Sequence, residues 1–315
     1  MKHILMVLTA TLAISSLVAC TDYTNSITTT YDTSKNITVY TRDTTSGTRD
    51  AFFTGIDFTD AISDNSSLVA NYVEVDGNGS MITAIANDLY GIGYISLSSL
   101  SSSGLTGLAF EGIEASETNV LNGSYELKRP FNYIVRNDWT DMSIEAQIVE
   151  AYVAYMSTVD GKSTIKSNGG IISITDTDLL WDDIKSQYPI CEQDNSAITI
   201  VFGGSTSVEK IAKALSAEFS GKCGNFVAEH NHTGSGDGYK RTQGSEANGT
   251  NAIHVGFASR DFKVSEPAAV GTIGLICQDA VVIVINASND TINNITALTI
   301  KAIYQGTLSI WSDLD

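Results

Sequence analysis

The chain has 315 residues and a formal charge of −18 at pH 7, with 36 acidic side chains against 18 Lys and Arg. That length holds one large or two medium domains with full cores, so a small disulfide-dependent scaffold is excluded. The acidity argues against nucleic acid or an anionic lipid surface as a partner.

In chain order, Met1-Lys2-His3 and the apolar run 4–18 have the charged start and short hydrophobic stretch of a secretory leader, residues 1–19. Leu17-Val18-Ala19-Cys20 resembles the lipobox of bacterial lipoproteins. It implies lipidation of Cys20 and anchorage on the extracytoplasmic face of the cell membrane. The alternative is an ordinary leader with an incidental cysteine. No later run approaches the roughly 20 apolar residues of a membrane span. Residues 20–36 are rich in Thr, Ser, Asn and Asp without apolar periodicity and read as a tether.

From residue 37, short β-rich runs alternate with helical patterns. Strands are expected at 37–40 and 92–96, and helices at 48–56, 81–89 and 143–158. Residues 176–195 break the pattern. A strand at 198–202 precedes Val208, Ile211, Leu215 and Phe219, whose spacing predicts an amphipathic helix over 208–219. Thr206 and Glu209 have capping-box spacing at its start. Strands at 252–258 and 281–285 and a helix at 295–304 complete an α/β pattern. Beside Cys20 there remain Cys191, Cys223 and Cys277, without a CxxC spacing; outside the cytosol an odd number leaves a free thiol or an intermolecular bridge.

Two segments have the chemistry of oxyanion turns: Arg42 to Phe52, which contains Ser46-Gly47-Thr48, and Gly204 to Val208, which contains Thr206-Ser207. Each sets glycine and hydroxyl residues directly before a helical pattern, where unpaired N–H groups and the positive dipole end favour an anion. For a single Ser or Thr, capping or turn chemistry is the commoner role.

The surrounding motifs strengthen the anion reading. Residues 37–42, 77–82, 90–97 and 128–133 resemble the second half of the phosphate-binding proteins that feed phosphate ABC transporters, the PstS family. Residues 204–208, 234–238, 256–260 and 303–311 resemble the first half. The order implies a circular permutation joined at about 175–196. The resemblance implies a type II periplasmic-binding-protein fold of two α/β lobes, one from 37–94 plus 286–315 and the other from 95–285. It also implies crossing strands near 94–96 and 283–286.

The resemblance further implies which residues hold phosphate: Arg42, Ser46, Gly47 and Thr48 on one lobe, and Thr206, Ser207, Ser235 and Ser259 on the other. Arg260 stands where some members carry an acid that accepts the proton of hydrogen phosphate, which leaves selectivity over sulfate open. Arg260 is either a second basic contact or a departure compensated by Asp261 or Asp43. Arg49 is either an anion contact or a partner of Asp50 or another acid. The acidic chain repels phosphate at long range, but salt screens that field beyond about 8 Å. Capture needs no metal or cofactor. The implied partners are inorganic phosphate, a permease, and the membrane through Cys20.

Rival readings are a receptor for sulfate or another oxyanion, a surface sensor or adhesin, and an enzyme. Glu229, His230 and His232 have the spacing of half a metal site, against an ordinary polar strand end; His254 reads as a core histidine. Gly234-Ser235-Gly236 lacks the spacing of a nucleophile elbow.

Overall fold

Two βαβαβ units of the same design form the molecule, and the computed structural model describes residues 31–139 and 143–314. The expected leader, Cys20 and most of the tether lie outside the described residues. The first unit is β1 (Thr38–Arg42), α1 (Gly47–Gly55), β2 (Val73–Val75), α2 (Asn78–Ala86) and β3 (Gly91–Ser96). A connection of α3 (Leu97–Leu100), β4 (Thr106–Gly107), β5 (Ala109–Phe110) and α4 (Glu117–Leu121) leads to β6 (Lys128–Val135). Then come α5 (Ile144–Met156), α6 (Val159–Ser167) and α7 (Trp181–Ile184). The second unit is β7 (Thr199–Gly204), α8 (Glu209–Lys222), β8 (Val227–His232), α9 (Ser235–Thr242) and β9 (Val255–Ala258). It is followed by β10 (Ile273–Ile285), β11 (Asn294–Ile295) and α10 (Ala297–Gln305).

The main path of the sheet runs β2-β1-β3-β10-β6-β9-β7-β8. In each unit the first strand is central and parallel to the other two, as right-handed βαβ crossovers require. β10 and β6 join the units as antiparallel strands, with Asp279 opposite Arg129. The C-terminal ends of the parallel strands are where ligands bind in open α/β sheets.

One core gathers Phe52, Phe53, Tyr94, Ile283 and Tyr304, and a second gathers Ile148, Tyr152, Phe202, Leu215 and Phe219. Leu108, Phe110, Val120, Tyr125 and Leu127 belong to the first core, as does Ile171, while Phe131 and Ile148 belong to the second. β10 serves both cores: Ile276 and Cys277 pack in the second and Ala280 in the first. A buried strand that serves two cores reads as one apolar run, so its sequence hides the crossing.

The helix at α8 forms as its apolar spacing predicts, with Val208, Ile211, Leu215 and Phe219 all buried. Its capping box does not form. Val208 is the N-cap and makes no side-chain cap bond, while the Thr206 hydroxyl instead receives Nη1 of Arg42 at 3.4 Å. A cap is worth about 1 kcal/mol, against about 2 kcal/mol for each buried apolar side chain, so packing carries the helix without it.

Residues 176–195 are not a loose connection. Trp181 and Ile190 are buried, and a Cys191–Cys223 disulfide fastens the segment to the end of α8. Cys277 is a free, buried thiol. The two ends of the described chain run side by side, with Ile37 N–H donating to Ser309 O at 2.8 Å and Ser312 N–H to Thr33 O at 2.8 Å. Among the described residues, no helix is long and apolar enough to cross a membrane.

Candidate functional site

Strand ends from both units meet at one buried polar cluster. β1 delivers Arg42, which is 1% exposed, and aromatic packing fixes the strand end. Phe52 stacks on Tyr94 at 4.1 Å; the Tyr94 hydroxyl accepts from Arg42 N–H at 3.1 Å and bonds Thr41 Oγ1 at 2.9 Å. Arg42 Nε donates to Val75 O at 3.2 Å and Nη2 to Asp76 O at 2.8 Å, which aims the remaining nitrogen at Thr206. Burial pulls its pKa down, opposed by Asp43.

The next turn opens α1. Ser46 is its N-cap, and the hydroxyl accepts from Thr48 N–H and Arg49 N–H at 3.2 and 3.3 Å, so here the capping role is realised. Gly47 packs against the other unit: a Cβ there would lie 2.6 Å from Ser259 Oγ and closer still to Ser235 Oγ. Only glycine allows this approach. Thr48 Oγ1 lies 2.9 Å from Ser207 Oγ.

Ser207 is the centre of the cluster. It follows Gly204, whose φ of 98° turns the chain out of β7 in a way that favours glycine. Its hydroxyl accepts from Asn78 Nδ2 and from Arg129 Nη2, both at 3.0 Å. A hydroxyl has two lone pairs and one hydrogen. With both lone pairs engaged, Ser207 donates to Thr48 Oγ1. Ser235 begins α9, and its hydroxyl accepts from Ser259 N–H at 3.0 Å and lies 3.2 Å from Ser259 Oγ. Arg42, Gly47, Thr48, Thr206, Ser207, Ser235 and Ser259 are thus brought together, with Ser46 behind them as a cap.

Arg260 is turned elsewhere. Its guanidinium donates to both oxygens of Glu266 at 2.7 and 2.8 Å and lies 3.6 Å from Asp50 on α1, where Lys263 also pairs at 2.9 Å. The expected role of Arg260 as a basic contact in the cluster gives way to an ion-pair group beside it. Arg49 is fully buried and braces Arg42 O, Ala61 O and Asn65 Oδ1. It is not a member of the cluster, and its acidic partner is Glu74, whose Oε2 lies 4.0 Å from Nη1, rather than Asp50. Asp43 accepts from Thr45, and Asp261 from Asn132 at 3.1 Å.

Four members carried no local signal as ligands. Asn78 spans the units, accepting from Ser96 N–H at 3.1 Å while donating to Ser207. Arg129 and Asp279 form a fully buried ion pair at 2.8 Å, to which the Ser96 hydroxyl adds a donor at 2.8 Å. Burial pushes the Asp279 carboxyl up against the pull of Arg129 and lowers the pKa of Arg129. Removing one partner alone would leave a buried charge unpaired, at a cost of about 3–5 kcal/mol.

His230 and His232 lie behind the Ser205 loop and not in the cluster. His232 Nδ1 donates to Ser205 O at 3.1 Å, which leaves its Nε2 to accept from His230 Nδ1 at 3.1 Å. Burial pulls both down to about 4, so the pair is a neutral brace. No group of three or more metal-ligating side chains occurs among the described residues. His254 Nδ1 accepts from Val201 N–H at 2.9 Å, a structural contact.

Comparisons with known proteins agree with this architecture. A PBP superfamily domain matches residues 192–315. The phosphate-binding protein PstS 2 of Streptococcus agalactiae serotype V is 25% identical over 281 residues, covering 88% of this chain and 87% of that one. Its namesake from Streptococcus pneumoniae serotype 4 is 26% identical over 283 residues, covering 89% and 88%. The crystal structure of a phosphate ABC transporter phosphate-binding protein from Streptococcus pneumoniae TIGR4 superposes with a TM-score of 0.61 at 21% identity, covering 89% of this chain and all of that one. That last likeness speaks for the fold alone. With binding-protein architecture and two βαβαβ units meeting at strand ends, the chain carries a PBP superfamily domain over residues 192–315 and is similar to PstS phosphate-binding proteins along most of its length.

Proposed function

We propose that the protein captures inorganic phosphate between its two units and delivers it to an ABC permease, without chemical change to the ligand. The observation that carries this reading is the cluster of Arg42, Thr48, Thr206, Ser207, Ser235 and Ser259, drawn from both units onto one buried point. A tetrahedral oxyanion needs many N–H and O–H donors and at least one fixed positive charge. Each unit holds part of that set, so a bound anion stabilises their apposition, and the closed form is the one presented to a permease. The relatives' names, phosphate-binding protein, set phosphate ahead of sulfate.

The same reading places the protein outside the cytoplasm, held by lipid on Cys20, with residues 20–36 giving it reach. It also takes the chain order as a circular permutation. Three features support that step: the units share one strand order, so exchanging them preserves the sheet; the ends at 31–38 and 309–312 are paired; and 174–180, where the chain leads into Trp181, is largely exposed. Joining Asp315 to Ile37 and opening the chain at 174–177, ahead of Trp181 and Ile190, is expected to give a folded binder. A chain that fails to fold would contradict the permutation.

Titration calorimetry with phosphate and then sulfate, on protein stripped of bound anion, tests the function. One-to-one phosphate binding with little sulfate response is expected. Absence of binding by either anion would overturn the reading.

A further inference from the structure

We propose that Asp50, Arg260 and Lys263 form an ionic latch between the two units, which holds the closed form and sets how fast the bound anion leaves. The proposal rests on the phosphate-capture reading above. Asp50 lies on α1 three residues after Gly47, so the two share a helix face. Gly47 meets Ser235 and Ser259 of the second unit, and Asp50 meets Arg260, the residue after Ser259. Both cations on the Asp50 carboxylate come from that second unit: Lys263 Nζ lies 2.9 Å and Arg260 Nε 3.6 Å from Oδ2. The contact is therefore made only while the units are together.

The second unit prepares its half of the latch in advance. Arg260 donates Nη1 and Nη2 to the two oxygens of Glu266 at 2.7 and 2.8 Å, and Nη1 also to Asp261 O at 2.8 Å. Glu266 Oε2 accepts in addition from Lys263 N–H at 2.9 Å, which closes residues 260–266 into a ring. Burial raises the pKa of Glu266, but hydrogen bonds from Arg260 and from Lys263 N–H bring it below its ordinary value, so the carboxylate is charged. Asp261 turns to Asn132 instead, accepting from Nδ2 at 3.1 Å. Arg260 thus has a carboxylate of its own, whereas among the described residues Lys263 Nζ has no ion pair except Asp50. Opening the units strips Lys263 of that partner.

Salt separates the latch from the ligand site. The Lys263 side chain is 41% exposed and that of Asp50 21%, so dissolved ions reach and screen the pair. Arg42, Thr48 and Ser207 are buried and are screened far less. Added salt should therefore speed release through the latch.

The test uses purified full-length protein loaded with radiolabelled phosphate and chased with unlabelled phosphate. Release is timed at about 0.01 M and about 1 M sodium chloride, where the screening length is about 30 and about 3 Å. Wild type is expected to release about threefold faster at the higher salt, the size of effect that part-exposed ion pairs support. Asp50→Asn and Lys263→Gln should each release at about the fast rate already at low salt and respond little to more. Asp50→Glu keeps the charge and should keep most of the salt response. Lys185→Gln removes the same charge from an exposed pair with Asp182 at 2.8 Å, and should release as wild type does.

Release from wild type that ignores salt overturns the latch, as does a folded Asp50→Asn variant that matches wild type in rate and salt response. An Asp50→Asn variant that melts earlier but releases unchanged would place Asp50 on the α1 dipole alone. If Asp50→Asn does not fold, Lys263→Gln decides. A wild type that binds no phosphate overturns the capture reading; small-angle scattering of the anion-free protein then decides the latch. Wild type is expected to widen with salt and Asp50→Asn to be wide throughout, and identical profiles would contradict it.

Discussion

At equivalent strand ends the two units carry different chemistry. At and after the end of its first strand the N-terminal unit presents Arg42, Gly47 and Thr48, where the C-terminal unit presents Thr206 and Ser207. Asn78 at the start of α2 answers Ser235 at the start of α9, and Ser96 at the end of β3 answers Ser259 just beyond β9. The contrast is one of charge: the first unit contributes the guanidinium of Arg42 and a close-packed turn, while the second contributes neutral hydroxyls. Neither set suffices for a buried dianion. Closure and binding are therefore one event, and separating the units should cost more than deleting any single donor.

Gly47→Ala tests that ranking at its most demanding point. The added methyl would stand between Ser235 and Ser259, so the units cannot close, and phosphate affinity is expected to fall by more than about 100-fold with the separate cores intact. Arg42→Ala removes charge from one unit without wedging them apart; calorimetry should show a loss of at least about 2 kcal/mol, since the anion then lacks a buried partner. Affinity equal to wild type in either variant would contradict the shared site.

Arg260→Ala sharpens the contrast from the other side. Although Arg260 is the charged residue at the β9 end of the second unit, Glu266 and Asp50 already engage it. Phosphate affinity is expected to change by less than about tenfold, in line with a charge whose partners are protein carboxylates. A larger loss would return Arg260 to the ligand shell.

The smallest effect is on stability and involves the second unit alone. His230 and His232 are held at about 4 in the folded chain, against an ordinary value of 6.5. Between those limits the unfolded state binds more protons, so stability falls as pH drops from about 6.5 to about 4 and is fully present above that window. Thermal melts across the window should show a shallower fall in His232→Gln than in wild type. Equal slopes would show that the pair stays neutral for another reason or does not brace the loop.

What was legible in the sequence follows from how far apart the cooperating residues lie. The α/β alternation and the turns at Ser46-Gly47-Thr48 and Thr206-Ser207 depend on neighbours within a few residues, and each can be read locally. Arg129 and Asp279 are 150 positions apart and meet only through strand register, so neither stands out in its own segment. The same limit explains Arg260, whose position was visible but whose acceptors on α1 and at Glu266 were not. It also explains Thr206, which has the spacing of a cap but hydrogen-bonds across the units instead.

The most direct test is a crystal structure at phosphate saturation. One phosphate is expected within hydrogen-bonding distance of Arg42 and Thr48 from the first unit and of Ser207 and Ser259 from the second. A phosphate held by one unit alone, or bound away from Ser207, would contradict a site shared between them.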